Sequence, residues 1–236
     1  DINYINGKYV LYYAMSVWGG EQTCGIGVAT ANSPQGPFTD HGKMFRSNEI
    51  GVQNSIDPSL LQYEGRNYLV WGSFRGIYVI ELTADGLSIM SGAKKKRIAG
   101  TAFEAVYIHK HGDYYYMFAS IGSCCQGVKS TYKVVVGRSK KVWGPYKDKT
   151  GKPMLKNGYS LVIGANDHFV GNGHGSQIIQ DDAGQDWLLY HGFSRSTPEN
   201  GRILLLDQIK WDQEGWPYVE GGSPSYETQK APVFNN

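Results

Sequence analysis

EAVYIHKHGDYYYMF, residues 104–118, reads as an ionisable residue, a short apolar strand, a glycine turn and a second strand crowded with aromatics. Val, Ile and Tyr suit a pleated, half-buried surface, and a His-Gly-Asp step between two such runs signals a turn. The same order recurs three more times, as DINYINGKYVLYY (1–13), DPSLLQYEGRNYLVW (57–71) and HGSQIIQDDAGQDWLLY (174–190). Each copy opens on Asp1, Asp57, Glu104 or His174 and turns at Gly7, Gly65, Gly112 or Gly184. From polar residue to glycine the spacings are 6, 8, 8 and 10 residues. Later parts of the units match as well. VATANSPQGPFTD (28–40) and VGRSKKVWGPYKD (136–148) share a strand end followed by Gly-Pro-aromatic-x-Asp, through Pro37 and Pro145.

The aromatic second strands begin near Tyr9, Tyr68, Tyr114 and Trp187. Each unit has room for roughly four short strands, and four-stranded sheets repeated at such a period are propeller blades. The chain therefore reads as all-β, with four blades. Long amphipathic helices are absent from the pattern, and 31 glycines punctuate short runs. The innermost strand of a blade lines the central channel. Asp1, Asp57, Glu104 and His174, each opening such a strand, are thus expected to converge at one end of it. Pro58, Leu60, Ala105 and Ile178, beside them, are expected between blades.

Bulk properties exclude little else. Hydrophobic residues make up 41 % and charged residues 19 % of the 236, ordinary for a soluble globular protein. A net charge of +2 argues neither for nor against a polyanionic partner. The basic run Lys94–Arg97 sits between turn-like residues and reads as a solvated hairpin end. Aromatics reach 13 %, with 17 Tyr and 6 Trp. That excess fits stacking on sugars, and it fits equally a chain that uses Tyr as a strand residue. Cys24, Cys124 and Cys125 make no disulfide framework and no CxxC spacing. Two buried thiols are expected at 124 and 125, with a vicinal disulfide as the alternative. The sequence holds no stretch of signal-peptide form and no apolar run long enough to span a bilayer. It opens directly in a strand, so upstream sequence is expected to have been removed or to lie elsewhere.

Carboxylates converging in an aromatic-lined cleft can cleave a glycosidic bond. One must be protonated to donate to the leaving oxygen, and another ionised to activate water or attack carbon. Glu104, in the apolar TAFEAV stretch (101–106), is the best acid candidate, since apolar surroundings favour a neutral carboxyl. It could also simply cap a strand start. Asp57 precedes Pro58 and could equally form an Asx-turn. His174 lies in GNGHGS (171–176), which lacks the Lys-Ser/Thr of a phosphate loop. One imidazole nitrogen there could hold a cation or its waters, or the ring could be structural. His41, His109, His111, His168 and His191 show no ligand spacing; His191 follows the strand at 187–190 and could flank the site.

Several segments resemble glycoside hydrolase family 43, in particular its endo-1,5-α-L-arabinanases. They are SIDPSL (55–60), VWGSF (70–74), FEAVYI (103–108), CCQGVKSTY (124–132), VGRS (136–139), GHGS (173–176) and LLLDQIKWDQEGWP (204–217). The resemblance implies a five-bladed β-propeller acting by inversion, of which this chain supplies four blades as a single catalytic domain over 1–236, incomplete at its N-terminus. It implies that Glu104 is the general acid and that Asp57 orients it and tunes its pKa. His174 is implied as the ligand of a central metal ion, commonly calcium, held largely through water. Asp1 matches an acidic residue of the family's second blade and is a substrate-binding candidate. The family's general base belongs to a first blade, expected from an N-terminal segment outside this chain. Trp18, Phe74 and Tyr107 are chosen as sugar-stacking residues. The implied substrate is arabinan or an arabino-oligosaccharide, with no nucleic-acid or membrane partner and an extracytoplasmic location. The alternatives are an exo-acting arabinofuranosidase or β-xylosidase of the same family and, without a general base, a non-catalytic carbohydrate-binding propeller.

Overall fold

A computed structural model describes residues 1–235. Its strands form four antiparallel sheets in chain order. The first holds β1 (Ile2–Ile5), β2 (Lys8–Met15), β3 (Gly25–Ala31) and β4 (Thr39–Arg46), followed by a single helical turn, α1 (Ser47–Ile50). The second holds β5 (Ser59–Tyr63), β6 (Arg66–Trp71), β7 (Ile77–Glu81) and β8 (Lys96–Ala99). The third holds β9 (Glu104–His111), β10 (Tyr114–Ile121), β11 (Lys133–Ser139) and β12 (Ser160–Ile163). The fourth holds β13 (Phe169–Gly173), β14 (Ile179–Gln180), β15 (Asp186–Ser194), β16 (Arg202–Trp211) and β17 (Pro217–Tyr218). In each of the first three, sequential strands lie side by side, the up-and-down order of a propeller blade.

The chain divides into two compact units. One comprises residues 1–107 with 155–157, the other residues 108–154 with 158–236. In the first unit alternate residues of β2 point inward, so Val10 and Tyr12 are each 1 % exposed while their neighbours are not. They join Ile26, Val28, Phe45, Leu69 and Trp71 in one apolar cluster. Burying each such side chain contributes about 1.5–3 kcal/mol. β3 is buried along nearly its whole length, which explains its small residues. A side chain at Gly25 would meet the Phe45 carbonyl at 2.4 Å, and one at Gly27 the Tyr13 ring at 2.3 Å. In the second unit Tyr116, Phe118, Val134, Val136, Leu188 and Tyr190 are all within 2 % of complete burial.

The turn residues behave as the repeat predicts. Asn6-Gly7 and Glu64-Gly65 have positive φ at both positions, the two-residue turn whose twist suits a hairpin. The paired Gly36-Pro37 and Gly144-Pro145 bonds are both cis, and the Lys94–Arg97 run is exposed.

Two expectations need correction. His174 does not open the inner strand of the fourth sheet. That strand is broken: β13 and β14 both pair with β15, through Gly173↔His191 and Ile179↔Trp187, and His174 follows the last residue of β13. The sequence alignment of the four units placed it one segment early because the glycines around it hide the first half of the strand. The second correction concerns Cys124 and Cys125, which are joined in a vicinal disulfide. They lie in the loop after β10, where Cys125 is exposed and no core surrounds the pair. Cys24 is the buried free thiol, with its sulfur 3.1 Å from the Ser47 hydroxyl. No helix of the described residues is long and apolar enough to cross a membrane.

Candidate active site

Three of the four opening residues lie in the first unit, and hydrogen bonds explain how they are held. The Asp1 carboxylate accepts from the Leu60 backbone N–H at 2.7 Å and from Asn3 Nδ2 at 2.8 Å. Asp57 Oδ2 accepts from the Ala105 N–H at 3.0 Å. Each acid therefore fastens the start of its own blade to the first strand that follows in the next. The second link brings Asp57 to the residue immediately after Glu104, 48 positions away in sequence.

Glu104 is 8 % exposed at the first position of β9. Its Oε2 accepts from the Ser73 hydroxyl at 2.7 Å, and Ser73 is itself 1 % exposed. A charge-capable oxygen bonded to a neutral hydroxyl in a dry setting is held at one position and keeps the carboxyl's second oxygen for other partners. Ser73 in turn is positioned from both sides. The Gly72 N–H donates to the Ile56 carbonyl at 2.9 Å, the Phe74 N–H to the Phe103 carbonyl at 2.9 Å, and Asn54 Nδ2 to the Ser73 carbonyl at 3.1 Å. Gly72 has φ +127°, and a Cβ there would meet the Gly76 carbonyl at 2.3 Å, so only glycine fits.

The backbone around these residues is unusual. Asn54, Asp57, Phe74 and Ala105 all sit in the left-handed region, at φ 52°, 56°, 50° and 50°. For residues with a Cβ this costs of the order of 1–3 kcal/mol each, and such strain clusters where a site needs a fixed geometry. The buried Ser55 hydroxyl helps to impose it, accepting from Trp71 Nε1 at 3.1 Å and donating to the Val52 carbonyl at 2.8 Å.

The sugar-stacking candidates fare differently. Trp18 is 92 % exposed in the loop between β2 and β3. That loop is tied to the acid-bearing segments, since Arg75 grips the Glu21 carboxylate with two bonds of 2.7 and 2.9 Å and the Asn54 N–H donates to the Glu21 carbonyl. Phe74 is half-buried beside Ser73. Tyr107 is only 5 % exposed, which leaves its ring no face for a sugar; the first four residues of β9 are all buried. Ser73, Glu21 and Arg75 were not singled out from sequence, although Ser73 lies inside the VWGSF segment.

His174 belongs to the second unit. Its side chain is exposed, its φ is +52°, and its N–H donates to Ser120 Oγ at 2.8 Å. His191 lies beside it with ring centroids 6.4 Å apart and stacks in turn near Tyr132 at 5.7 Å. Burial, then the charge of Arg202 and of His174, pushes the His191 pKa down to about 4, so this imidazole is neutral at ordinary pH. Its buried Nδ1 has no hydrogen-bond partner, and neither has Asn172 Oδ1. Among the described residues His174 belongs to no cluster of three or more His, Cys, Asp or Glu ligand atoms.

Repeated four-stranded sheets, with carboxylates fixed where their inner strands begin, define a propeller with an acidic site. The sequence profile of Glycosyl hydrolases family 43 matches residues 1–217, and the chain belongs to that family. It is 38 % identical over 242 residues to an extracellular exo-α-(1→5)-L-arabinofuranosidase of Cellvibrio japonicus, covering 93 % of this chain and 69 % of that protein. It is 37 % identical over 225 residues to an extracellular endo-α-(1→5)-L-arabinanase of Bacillus subtilis, covering 92 % and 67 %. Among solved structures, an α-L-arabinanase of Cellvibrio cellulosa in complex with arabinohexaose superposes with a TM-score of 0.85 at 34 % identity, over 94 % of this chain and 76 % of that one.

Proposed function

We propose that this glycoside hydrolase cleaves α-1,5-linked L-arabinan internally, with inversion at the anomeric carbon. One observation carries the reading: Glu104, buried and gripped by Ser73, stands next to the backbone N–H that fixes Asp57. In the proposed reaction Glu104 protonates the leaving glycosidic oxygen. Asp57 holds the start of β9 in place and sets the field that Glu104 feels. A carboxylate from a segment preceding Asp1 activates water on the opposite face, roughly 6.5–9.5 Å from Glu104. Relatives longer than this chain make room for such a segment. Asp1 bonds the start of the second blade and borders the substrate groove. Trp18 and Phe74 offer the sugar its apolar faces.

His174 fits a cation that keeps most of its own water, because a lone imidazole cannot supply the six to eight oxygens calcium takes from a protein cage. The extracellular relatives and the vicinal disulfide both suit a secreted protein.

The exo-acting Cellvibrio japonicus relative keeps one second reading open, release of single terminal arabinose units. Linear arabinan digested with the enzyme separates the two. A ladder of oligosaccharides with an early fall in viscosity is expected; a single product appearing from chain ends would replace endo by exo action, and no product at all would overturn the hydrolase reading of this chain.

A further inference from the structure

The second unit gathers two imidazoles and a carboxylate that the glycosidase chemistry does not use. His109 and His111 stand two apart on β9 and so leave the same face of the strand. Asp186 opens β15. One ligand atom from each of the three lies within 4.8 Å of the other two. His111 Nδ1 is 3.9 Å from Asp186 Oδ2, which is beyond hydrogen-bond reach.

We propose that His109, His111 and Asp186 form a binding site for a divalent transition-metal ion of the zinc type, which would clip β9 to β15. Donor chemistry selects the ion. Two imidazole nitrogens and one carboxylate suit Zn²⁺ and its neighbours, whereas Ca²⁺ and Mg²⁺ prefer oxygen throughout. Ligand atoms about 2.0–2.2 Å from a tetrahedral ion stand roughly 3.3–3.5 Å apart. The His111–Asp186 separation is a few tenths of an ångström wider than that.

The surroundings orient the ligands in advance, as outer partners of metal sites do. Trp211 Nε1 donates to Asp186 Oδ2 at 2.7 Å, and Gln180 Nε2 to Oδ1 at 3.2 Å. The Trp211 indole also stacks on the His111 ring at 3.7 Å with an interplanar angle of 7°. Asp186 is 6 % exposed, and these two bonds come from neutral donors, so a cation beside it would offset the cost of burying its charge. Lys110, whose charge acts on His111, has its ammonium over the Tyr115 ring, 5.0 Å from the centroid.

The test uses the metal-stripped full chain carrying His174→Ala, so that only this cluster is read. Calorimetric titration with Zn²⁺ is expected to show one equivalent bound, and Co²⁺ in its place to give the visible bands of a low-coordinate ion. Excess Zn²⁺ should raise the thermal midpoint by several degrees. The double variant His109→Ala/His111→Ala should lose the equivalent. Should that variant fail to fold, His111→Gln, which keeps a flat polar group against Trp211, is expected to weaken Zn²⁺ binding at least tenfold. No Zn²⁺ bound by the parent, or unchanged affinity in His111→Gln, overturns the proposal.

Discussion

The two compact units hold their ionisable groups by opposite means. In the first, carboxylates are fixed by directed bonds: Ser73 to Glu104, Ala105 to Asp57, Leu60 to Asp1. In the second, imidazoles are fixed by flat contact and dryness: His111 on Trp211, His191 near Tyr132 and His174. A carboxylate needs donors to remain oriented, and backbone N–H groups at strand starts supply them without entropy cost. A neutral imidazole needs only one good face and a low dielectric. The first arrangement positions a proton donor; the second keeps nitrogens unprotonated.

The comparison can be broken most severely at Glu104. Glu104→Gln retains the shape and the Ser73 bond but has no proton to give. Arabinan hydrolysis, followed by reducing-end release, is expected to fall about a thousandfold, equivalent to about 4 kcal/mol, while the thermal midpoint stays close to the parent's. Full activity would end the assignment. Gly72→Ala forces a Cβ into the Gly76 carbonyl at a φ that disfavours it, and should lower unfolding free energy by at least about 2 kcal/mol in urea titration.

Asp57 sharpens the comparison, because its bond and its charge separate. Asp57→Asn can still accept from Ala105, so stability should change by less than about 1 kcal/mol. Activity should nevertheless drop about 10- to 100-fold, through kcat rather than KM. An Asn variant with full kcat would reduce Asp57 to a strand clip. Ser73→Ala should cost less, about tenfold in kcat, since Glu104 keeps its place on β9.

The smallest effect belongs to the imidazole side. His191 has a folded pKa near 4 against 6.5 in the unfolded chain. Between those values the unfolded state binds the extra proton, so stability is complete above about pH 6.5 and declines as pH falls towards 4. Because the ring is only half-buried, the loss is discounted to about 1 kcal/mol. In His191→Phe the urea midpoint should fall less between pH 7 and 4.5 than in the parent; identical slopes would remove His191 as the cause.

Much of the first unit was legible before any coordinates. The polar residue, the strand and the glycine turn are local features, and so are the Gly-Pro pairs. Their repetition implied blades, and the blade idea placed Asp57 and Glu104 together. The partner Ser73 was hidden, because a serine after glycine in a strand-turn carries no signal of what its hydroxyl meets 31 residues later. The fourth sheet misled for a local reason: glycines at 171, 173 and 175 blur where a strand starts, and the inner strand is split there. The adjacency of Cys124 and Cys125 allowed a vicinal bond without choosing it over two thiols, and the meeting of His109, His111 and Asp186 leaves no trace in spacing.

Alternation, turn chemistry and repetition were therefore settled by the amino acids in order, since each depends on interactions a few residues long. Which oxygen faces which hydrogen was decided only by the tertiary structure. Strands distant in the chain come to lie side by side to bury Val, Tyr and Trp, and that packing, indifferent to the polar atoms it carries along, sets Ser73 against Glu104 and Asp186 beside two imidazoles.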